Sequence, residues 1–331
     1  MKYIHFLMIL VASAVVVNFT ACSDSDEVGS PIEIYDDYTL PQSGASDEAN
    51  SRIMQYYQKY GSYVLYNYTS KDAFWVPNTG AANNNGSYVV TLGKPTDVDA
   101  MLDYIEDIWL KYFTDDFLKK GGMPYRVFLA DSLYYVRDFG GGYIRKSMLN
   151  YQINGNSIII ANMGKVKTMD AATKKANKIE LFNALWSYYQ ARGLITLPQE
   201  FFEVSDYTTK PHMTSTTTSW GETSYEYTDE DLAALRNRGF LPKYSQYGWS
   251  MYNEIYYISY GSDYWDVTYG FPTESKRKNA DYQYYMSQIL NATDEEVAAF
   301  LAYPTVAKKW NIILNYYKDN YNIDLRAIAT N

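Results

Sequence analysis

The chain is poor in the residues that carry most metal and nucleophile chemistry. Its 331 residues include one cysteine, Cys22, and two histidines, His5 and His212. A catalytic zinc centre usually takes two or three His or Cys ligands; with residues 1–21 removed as a signal and Cys22 acylated, as read below, only His212 remains, so no His/Cys zinc site can be built within one chain. The same scarcity removes a Cys–His pair. A Ser-His-Asp triad would have to use His212, but no nucleophile-elbow motif occurs, and His212 sits in the polar stretch Thr209-Lys210-Pro211-His212-Met213-Thr214. Basic residues are also scarce: 29 Lys and Arg stand against 38 Asp and Glu, a net charge of −9. That balance argues against nucleic acid as a partner, which needs a basic face. Long apolar runs are missing as well. Ile4–Val17 is interrupted by His5 and Ser13 and is shorter than the roughly 20 residues a membrane-spanning helix needs.

What that short run does fit is the apolar region of a secretory signal, after the single base Lys2. It ends in Phe19-Thr20-Ala21-Cys22, small residues before a cysteine. This resembles a lipoprotein signal, in which the cysteine is acylated and becomes the new N-terminus. Phe19 stands where such signals usually have Leu. Residues 1–21 are therefore expected to be removed, with Cys22 held in outer-membrane lipid by acyl chains alone. From Cys22 to Asn50 the chain has eight acids and no Lys or Arg. So charged a stretch reads as a solvated tether over residues 22–50. Its start, Ser23-Asp24-Ser25-Asp26-Glu27, resembles the acidic export signal of lipoproteins displayed on the cell surface.

From Ser51 the composition becomes globular, with 47% hydrophobic residues overall and 37 tyrosines. Residues 51–60 read as a helix and Tyr63–Thr69 as a strand. Asn83-Asn84-Asn85-Gly86 suggests a hairpin joining Ala73–Val76 to Ser87–Val90. Thr96–Phe113 reads as a helix capped by Thr96 or Asp97, with Met101, Ile105, Trp109 and Phe113 recurring every fourth residue. Tyr125–Leu129 and Ser157–Ala161 are further strands. Gly140-Gly141-Gly142 lacks the features of a phosphate loop and is read as structural. A long helix covers Asp170–Ala191, a Thr/Ser loop covers 208–219, and helices are expected at 228–237, 246–260, 273–290, 293–301 and 304–319. Strands followed by helices indicate an α+β fold, with a β-rich lobe at 51–168 and a helical lobe at 169–331.

Carboxylate pairs could serve glycoside hydrolysis, a metal-independent alternative. The candidates, Asp115-Asp116 and Asp294-Glu295-Glu296, look like a helix end and a capping first turn. Asp319–Asp324 fails as a calcium loop because Tyr321 and Ile323 occupy ligand positions and the mid-loop Gly is missing. The tyrosine pairs 56/57, 134/135, 188/189, 256/257 and 284/285 offer rings and hydroxyls for a glycan or peptide groove, with one member of each helical pair expected inside and one at the surface.

The order of segments resembles the substrate import-associated zinc metallohydrolase lipoproteins, a gluzincin-like metallopeptidase family tied to TonB-dependent uptake. The likeness runs over roughly residues 51–328. It rests on the opening helix and strand, the Pro95–Phe113 helix before the strand at Tyr125, Gly239-Phe240-Leu241-Pro242-Lys243-Tyr244, and the closing Trp310, Tyr316 and Ile323-Asp324-Leu325-Arg326. That family carries HExxH on its long central helix, with a Gln four residues after the second His. Gln190 matches that Gln. The resemblance then puts Phe182 and Trp186 at the two His positions, Asn183 at the catalytic Glu, and Glu254 at the third ligand. It implies a gluzincin-like fold that has lost its metal site: no cofactor, no catalytic residue, and a surface lipoprotein serving a nutrient-uptake complex by binding ligand or partner. The residues agree. Phe182, Leu185, Trp186 and Tyr189 form one continuous apolar face where ligands would otherwise project, and Asn183 cannot act as a general base.

Replacing Cys22 by Ala should move the protein from the membrane to the soluble fraction on cell fractionation. Unchanged membrane association would count against acylation as the anchor.

Overall fold

The computed structural model describes residues 37–74, 86–209, 214–217, 219, 223–226, 228–241 and 274–330. The chain divides into two units, Met1–Thr39 and Leu40–Asn331, and every element named below belongs to the second. Cys22, His212, Glu254, the tyrosines at 256 and 257 and the helix expected at 246–260 lie outside the described residues.

Helix α1, Asp47–Tyr60, starts four residues ahead of the expected Ser51 because Ser46 caps it, its hydroxyl accepting from the Ala49 N–H at 3.0 Å. Ala49, Ile53 and Tyr56 face inward, and Gly61 ends the helix at φ +69°, a conformation that favours glycine. Strand β1 is only Tyr63–Leu65. The expected strand stops there because Thr69 and Asp72 cap each other, Thr69 N–H to Asp72 Oδ2 at 2.7 Å and Asp72 N–H to Thr69 Oγ1 at 3.3 Å. They start the short helix α2, Ser70–Phe74. The expected hairpin is therefore wrong on its first arm: Ala73 and Phe74 are helical. Its second arm is strand β2, Gly86–Leu92, which pairs with a strand much later in the chain.

The Thr96–Phe113 pattern is one helix in three pieces. A 3₁₀ turn at Pro95–Asp97 leads into α3, Val98–Ile108, and Trp109 leaves helical geometry before a second 3₁₀ turn at Leu110–Tyr112. Met101, Ile105, Trp109 and Phe113 are all buried, so the periodicity found the inward face although the backbone breaks. Asp97 makes no capping bond, and its carboxylate pairs with Lys167 at 2.8 Å instead.

Strand β3, Arg126–Asp138, organises the sheet and runs nine residues beyond the expected Leu129. Its first half, through Leu129, lies between two parallel neighbours, β1 and β6 (Ser157–Ile160). Val127-Phe128-Leu129 and Ile158-Ile159-Ile160 are buried on both faces, as continuous apolar runs in a central parallel strand should be. Its second half runs on between two antiparallel partners, β2 and β4 (Ile144–Leu149). Gly140–Gly142, all at positive φ, turn β3 into β4, which is the structural role read for them. Strand β5, Tyr151–Asn154, closes the far edge against β6.

Helices follow. They are α4 (Ala171–Ala191) and α5 (Gln199–Glu203), then, after a small hairpin of β7 (Thr214–Thr217) and β8 (Thr223–Glu226), α6 (Asp229–Asn237). After these come α7 (Glu274–Asn291), α8 (Asp294–Leu301), α9 (Pro304–Tyr321) and α10 (Leu325–Thr330). Asp170 caps α4, and capping boxes start α6 (Thr228/Asp231) and α8 (Thr293/Glu296). The calcium-like stretch 319–324 is the end of α9, where Asn322 takes φ +54°, together with Asp324 accepting from the Ala327 N–H at 3.0 Å. The fold is thus α+β, a mixed β/α part followed by a mainly helical one. Both parts share one buried cluster reaching from Ala49 to Ile328. Among the described residues no helix is long and apolar enough to cross a membrane.

One charge in α4 is held against its preference. Lys178 is 3% exposed, its ammonium 3.3 Å from the Tyr112 hydroxyl. Burial, and then the like charges of Lys111 and Lys175, lower its pKa to about 8. The folded chain therefore releases this proton before the unfolded chain does, and the associated stability rises with pH above about 8. Lys178→Met should raise the melting temperature at pH 7, and the gain should shrink steadily toward pH 10. A pH-independent difference would rule out the charge as its cause.

Candidate functional site

The long helix α4 carries the positions at which the resemblance would place a metal. Phe182, Leu185 and Tyr189 have no exposed surface and Trp186 only 3%. The Phe182 ring stacks on Phe113 at 5.6 Å and meets Tyr112 edge-on at 5.4 Å. Tyr189 stands edge-on to Phe113 and Phe117 at 5.4 and 5.0 Å. Trp186 is edge-on to Tyr317 at 4.7 Å. These separations and angles are the favoured ones for aromatic pairs.

The polar atoms on these rings are joined in two chains with a fixed direction. In the first, Trp109 Nε1 donates to Tyr189 Oη at 3.0 Å, which donates to the Gly122 carbonyl at 2.9 Å. In the second, Trp186 Nε1 donates to Tyr282 Oη at 2.9 Å. The Tyr282 and Tyr317 hydroxyls are 2.5 Å apart, and Tyr317 donates to the Thr196 carbonyl at 3.0 Å. An indole N–H can only donate, and Tyr317 has one proton already committed, so Tyr282 must donate to Tyr317. Each indole and phenol group in these two chains thus finds a partner and each chain ends on a backbone carbonyl, which spares these rings the cost of an unpaired polar group; Tyr188 Oη, also buried on α4, has no partner among the described residues. Burial raises the Tyr282 pKa to about 12, so the chain stays protonated at neutral pH.

The structure places the candidate residues as follows. Phe182 and Trp186 are core residues with no lone pair directed to a common point, and a Trp N–H cannot ligate a cation. They do not fit a zinc ion. Asn183 is on the exposed side of the helix, away from both. Gln190 is half-buried with Nε2 3.5 Å from Tyr282 Oη, beside the second chain. Among the described residues there is no group of three or more His, Cys, Asp or Glu that could hold a metal ion. The acidic candidates are engaged elsewhere. Asp115 pairs with Lys59, Asp116 with Lys120 and Asp294 with Arg326. Asp115 and Asp116 begin a short helical turn capped by Thr114, whereas a helix end was expected. Tyr56 is buried and Tyr57 part-exposed, but two of the tyrosine pairs differ from expectation. Tyr188 and Tyr189 are both buried, as are Tyr284 and Tyr285, because these helices are enclosed on more than one side.

A second cluster was missed in the sequence. Asp281 on α7 and Lys309 on α9 form an ion pair with no exposed side-chain surface. Tyr207 donates to Asp281 Oδ2 at 2.6 Å, and Lys309 donates to Ser205 Oγ at 3.0 Å. The ammonium sits 4.2 Å from the Phe201 ring, 4.9 Å from Tyr285 and 5.1 Å from Phe240. Burial pushes the Asp281 pKa up and the Lys309 pKa down, each opposed by the partner's charge. Asp281 Oδ1 has no hydrogen-bond partner among the described residues. Gly239 closes the cluster at φ +88°. Its carbonyl accepts from Tyr285 at 2.8 Å, and an added Cβ would lie 2.7 Å from Ser205 Oγ and 2.8 Å from Thr305 Cγ2. One sequence signal was present. Lys309 falls three residues after Val306 and four before Ile313, on the apolar face of α9.

No family model matches the chain, and no curated protein matches it. Among solved structures, a chain from Bacteroides caccae ATCC 43185 described as "a putative zinc-binding metallo-peptidase" is similar, with 12% identity over 86% of this chain and 91% of that one, at a TM-score of 0.39. That similarity is too low to assign a fold or an activity.

Lys309→Met alone should destabilise the protein by about 3–5 kcal/mol in denaturant unfolding, because it leaves Asp281 buried and uncompensated. Adding Asp281→Leu should recover most of the loss; a double variant as unstable as the single one would show that packing, not charge, sets the cost. Tyr317→Phe should cost about 1–3 kcal/mol by leaving the Tyr282 hydroxyl and the Thr196 carbonyl unpaired.

Proposed function

We propose that the chain is a non-catalytic lipoprotein of the outer membrane, displayed at the cell surface through acylated Cys22. Its folded part is read as a degenerate metallopeptidase-like domain that binds a glycan or peptide for a TonB-dependent uptake complex. The observation that carries the loss of catalysis is the buried face of α4. Where a zinc hydrolase of the resembled family needs two imidazoles, Phe182 and Trp186 present rings packed against Phe113 and Tyr317. Where it needs a carboxylate, Asn183 presents a neutral amide at the surface. The scarcity of histidine supports the same reading, since one His beyond the signal segment cannot complete a zinc site with Cys22 acylated. The 37 tyrosines support a binding role, because phenol rings stack on sugars and peptide groups while their hydroxyls hydrogen-bond.

Metal analysis of the purified protein after dialysis tests the central part of this reading. Zinc well below one atom per chain is expected; about one per chain would overturn it, since a retained site takes three or four good ligands. A second test acts on the helix itself. The variant Phe182→His, Asn183→Glu, Trp186→His should gain no peptidase activity and should lose several kcal/mol of stability. Truncation of one buried Phe or Trp costs about 3–5 kcal/mol, and here two rings are replaced.

A further inference from the structure

The exposed end of the β3–β4 hairpin differs from the rest of the molecule in chemistry. The chain as a whole is acidic, at −9. Yet Arg137, Arg145 and Lys146 cluster here, all exposed, against the single acid Asp138, whose carboxylate accepts from the Gly140 N–H at 2.8 Å and so serves the turn. Arg137 and Arg145 are direct cross-strand partners in the antiparallel register. Like charges placed opposite each other on a sheet repel, and no ion pair with an acid offsets these two among the described residues. Three exposed apolar side chains lie at the same end of the hairpin: Tyr143 at 66%, Ile144 at 56% and Phe139 at 50% exposure. The Arg137 guanidinium lies 4.7 Å from the Phe139 ring centroid. Between Phe139 and Tyr143 stand only glycines, so no polar side chain at the tip would have to be desolvated on contact with an apolar phase.

Aromatic rings at a tip, backed by arginine and lysine, match the boundary of a lipid bilayer. Rings of Phe and Tyr settle at the headgroup level, and basic side chains reach the phosphates beside them. An anionic surface would also remove the repulsion between Arg137 and Arg145 by placing phosphates between them. An acidic protein surface would meet the charges but leave the apolar tip less well used. We propose that this hairpin tip is a membrane-docking element that inserts Phe139, Tyr143 and Ile144 into the headgroup boundary of an anionic bilayer, with Arg137, Arg145 and Lys146 on lipid phosphates. The contact is separate from acylation at Cys22, and it would hold one end of the folded domain against the surface.

The test uses the chain from residue 22 onward with Cys22→Ser, which cannot be acylated, so its outcome does not depend on the lipoprotein reading. Co-sedimentation with vesicles of phosphatidylglycerol and phosphatidylcholine is expected to exceed that with phosphatidylcholine alone by about tenfold, and to fall at about 0.5 M salt, where surface charges are screened. Two variants, Phe139→Ser/Tyr143→Ser/Ile144→Ser and Arg137→Gln/Arg145→Gln, should each lose about tenfold in binding to the anionic vesicles. Both should keep the parent circular dichroism and melting temperature, since the altered side chains are exposed. A Phe139→Trp variant should shift its emission to the blue on adding anionic vesicles. No preference for anionic vesicles, or full binding by both variants, overturns the proposal.

Discussion

The helical half of this protein is tied together by hydrogen bonds that run through its buried rings. Helix α4 enters the core with Phe182, Trp186 and Tyr189 on its inner face, and burying an indole or a phenol without a hydrogen bond is costly, a cost that Tyr188 Oη carries and that Trp186 and Tyr189 are spared. The two directed chains, from Trp109 through Tyr189 to Gly122 and from Trp186 through Tyr282 and Tyr317 to Thr196, supply those bonds. They tie α4 to the segment after α3 on one side and to α7 and α9 on the other. They are also one reason the core accepts so many tyrosines. A phenol that finds a donor and an acceptor packs as a large apolar side chain with a directional bond at its end.

The Asp281–Lys309 pair works by a different rule. Two fully buried charges are rarely worth more than an apolar pair of the same shape, because desolvation offsets most of their attraction. Here the ammonium meets the carboxylate where α7 and α9 come together, with Tyr207 and Ser205 completing its contacts and three aromatic rings around it. Gly239 is part of the same cluster, where a side chain at that position would strike Ser205 and Thr305.

Together these features describe a domain whose interior is committed to structure. The face of α4 at which the resembled family would hold a metal is filled and hydrogen-bonded, and the acidic candidates Asp115, Asp116 and Asp294 are held in surface ion pairs. Binding chemistry is left to the surface. There, the β3–β4 hairpin gathers basic and apolar side chains that the fold does not use.

Patterning by itself determined a good deal. Helical periodicity located the buried face of α4, the inward residues of the segment around α3, and the positions of α6, α7, α8 and α9. Capping residues such as Asp170, Thr228 and Thr293 set starts because they act on the nearest backbone N–H groups, a purely local effect. The runs at Tyr125–Leu129 and Ser157–Ala161 announced strands, which the structure buries on both faces at 127–129 and 158–160. The α+β class followed from the order of these elements. What only the tertiary structure decided was pairing across distance. Strand β2 looked like half of a local hairpin, but its partner lies some forty residues on, in the extended second half of β3. The pairs Tyr188/Tyr189 and Tyr284/Tyr285 could not be recognised as wholly buried, because that depends on neighbours on two sides of each helix. Lys309 could not be matched to Asp281, because charges on separate helices meet only when the helices pack. Sequence records what each residue can do within its own turn or strand; which remote residue it meets is settled by the collective burial of the core, where side-chain shape and the cost of unpaired polar atoms select one arrangement.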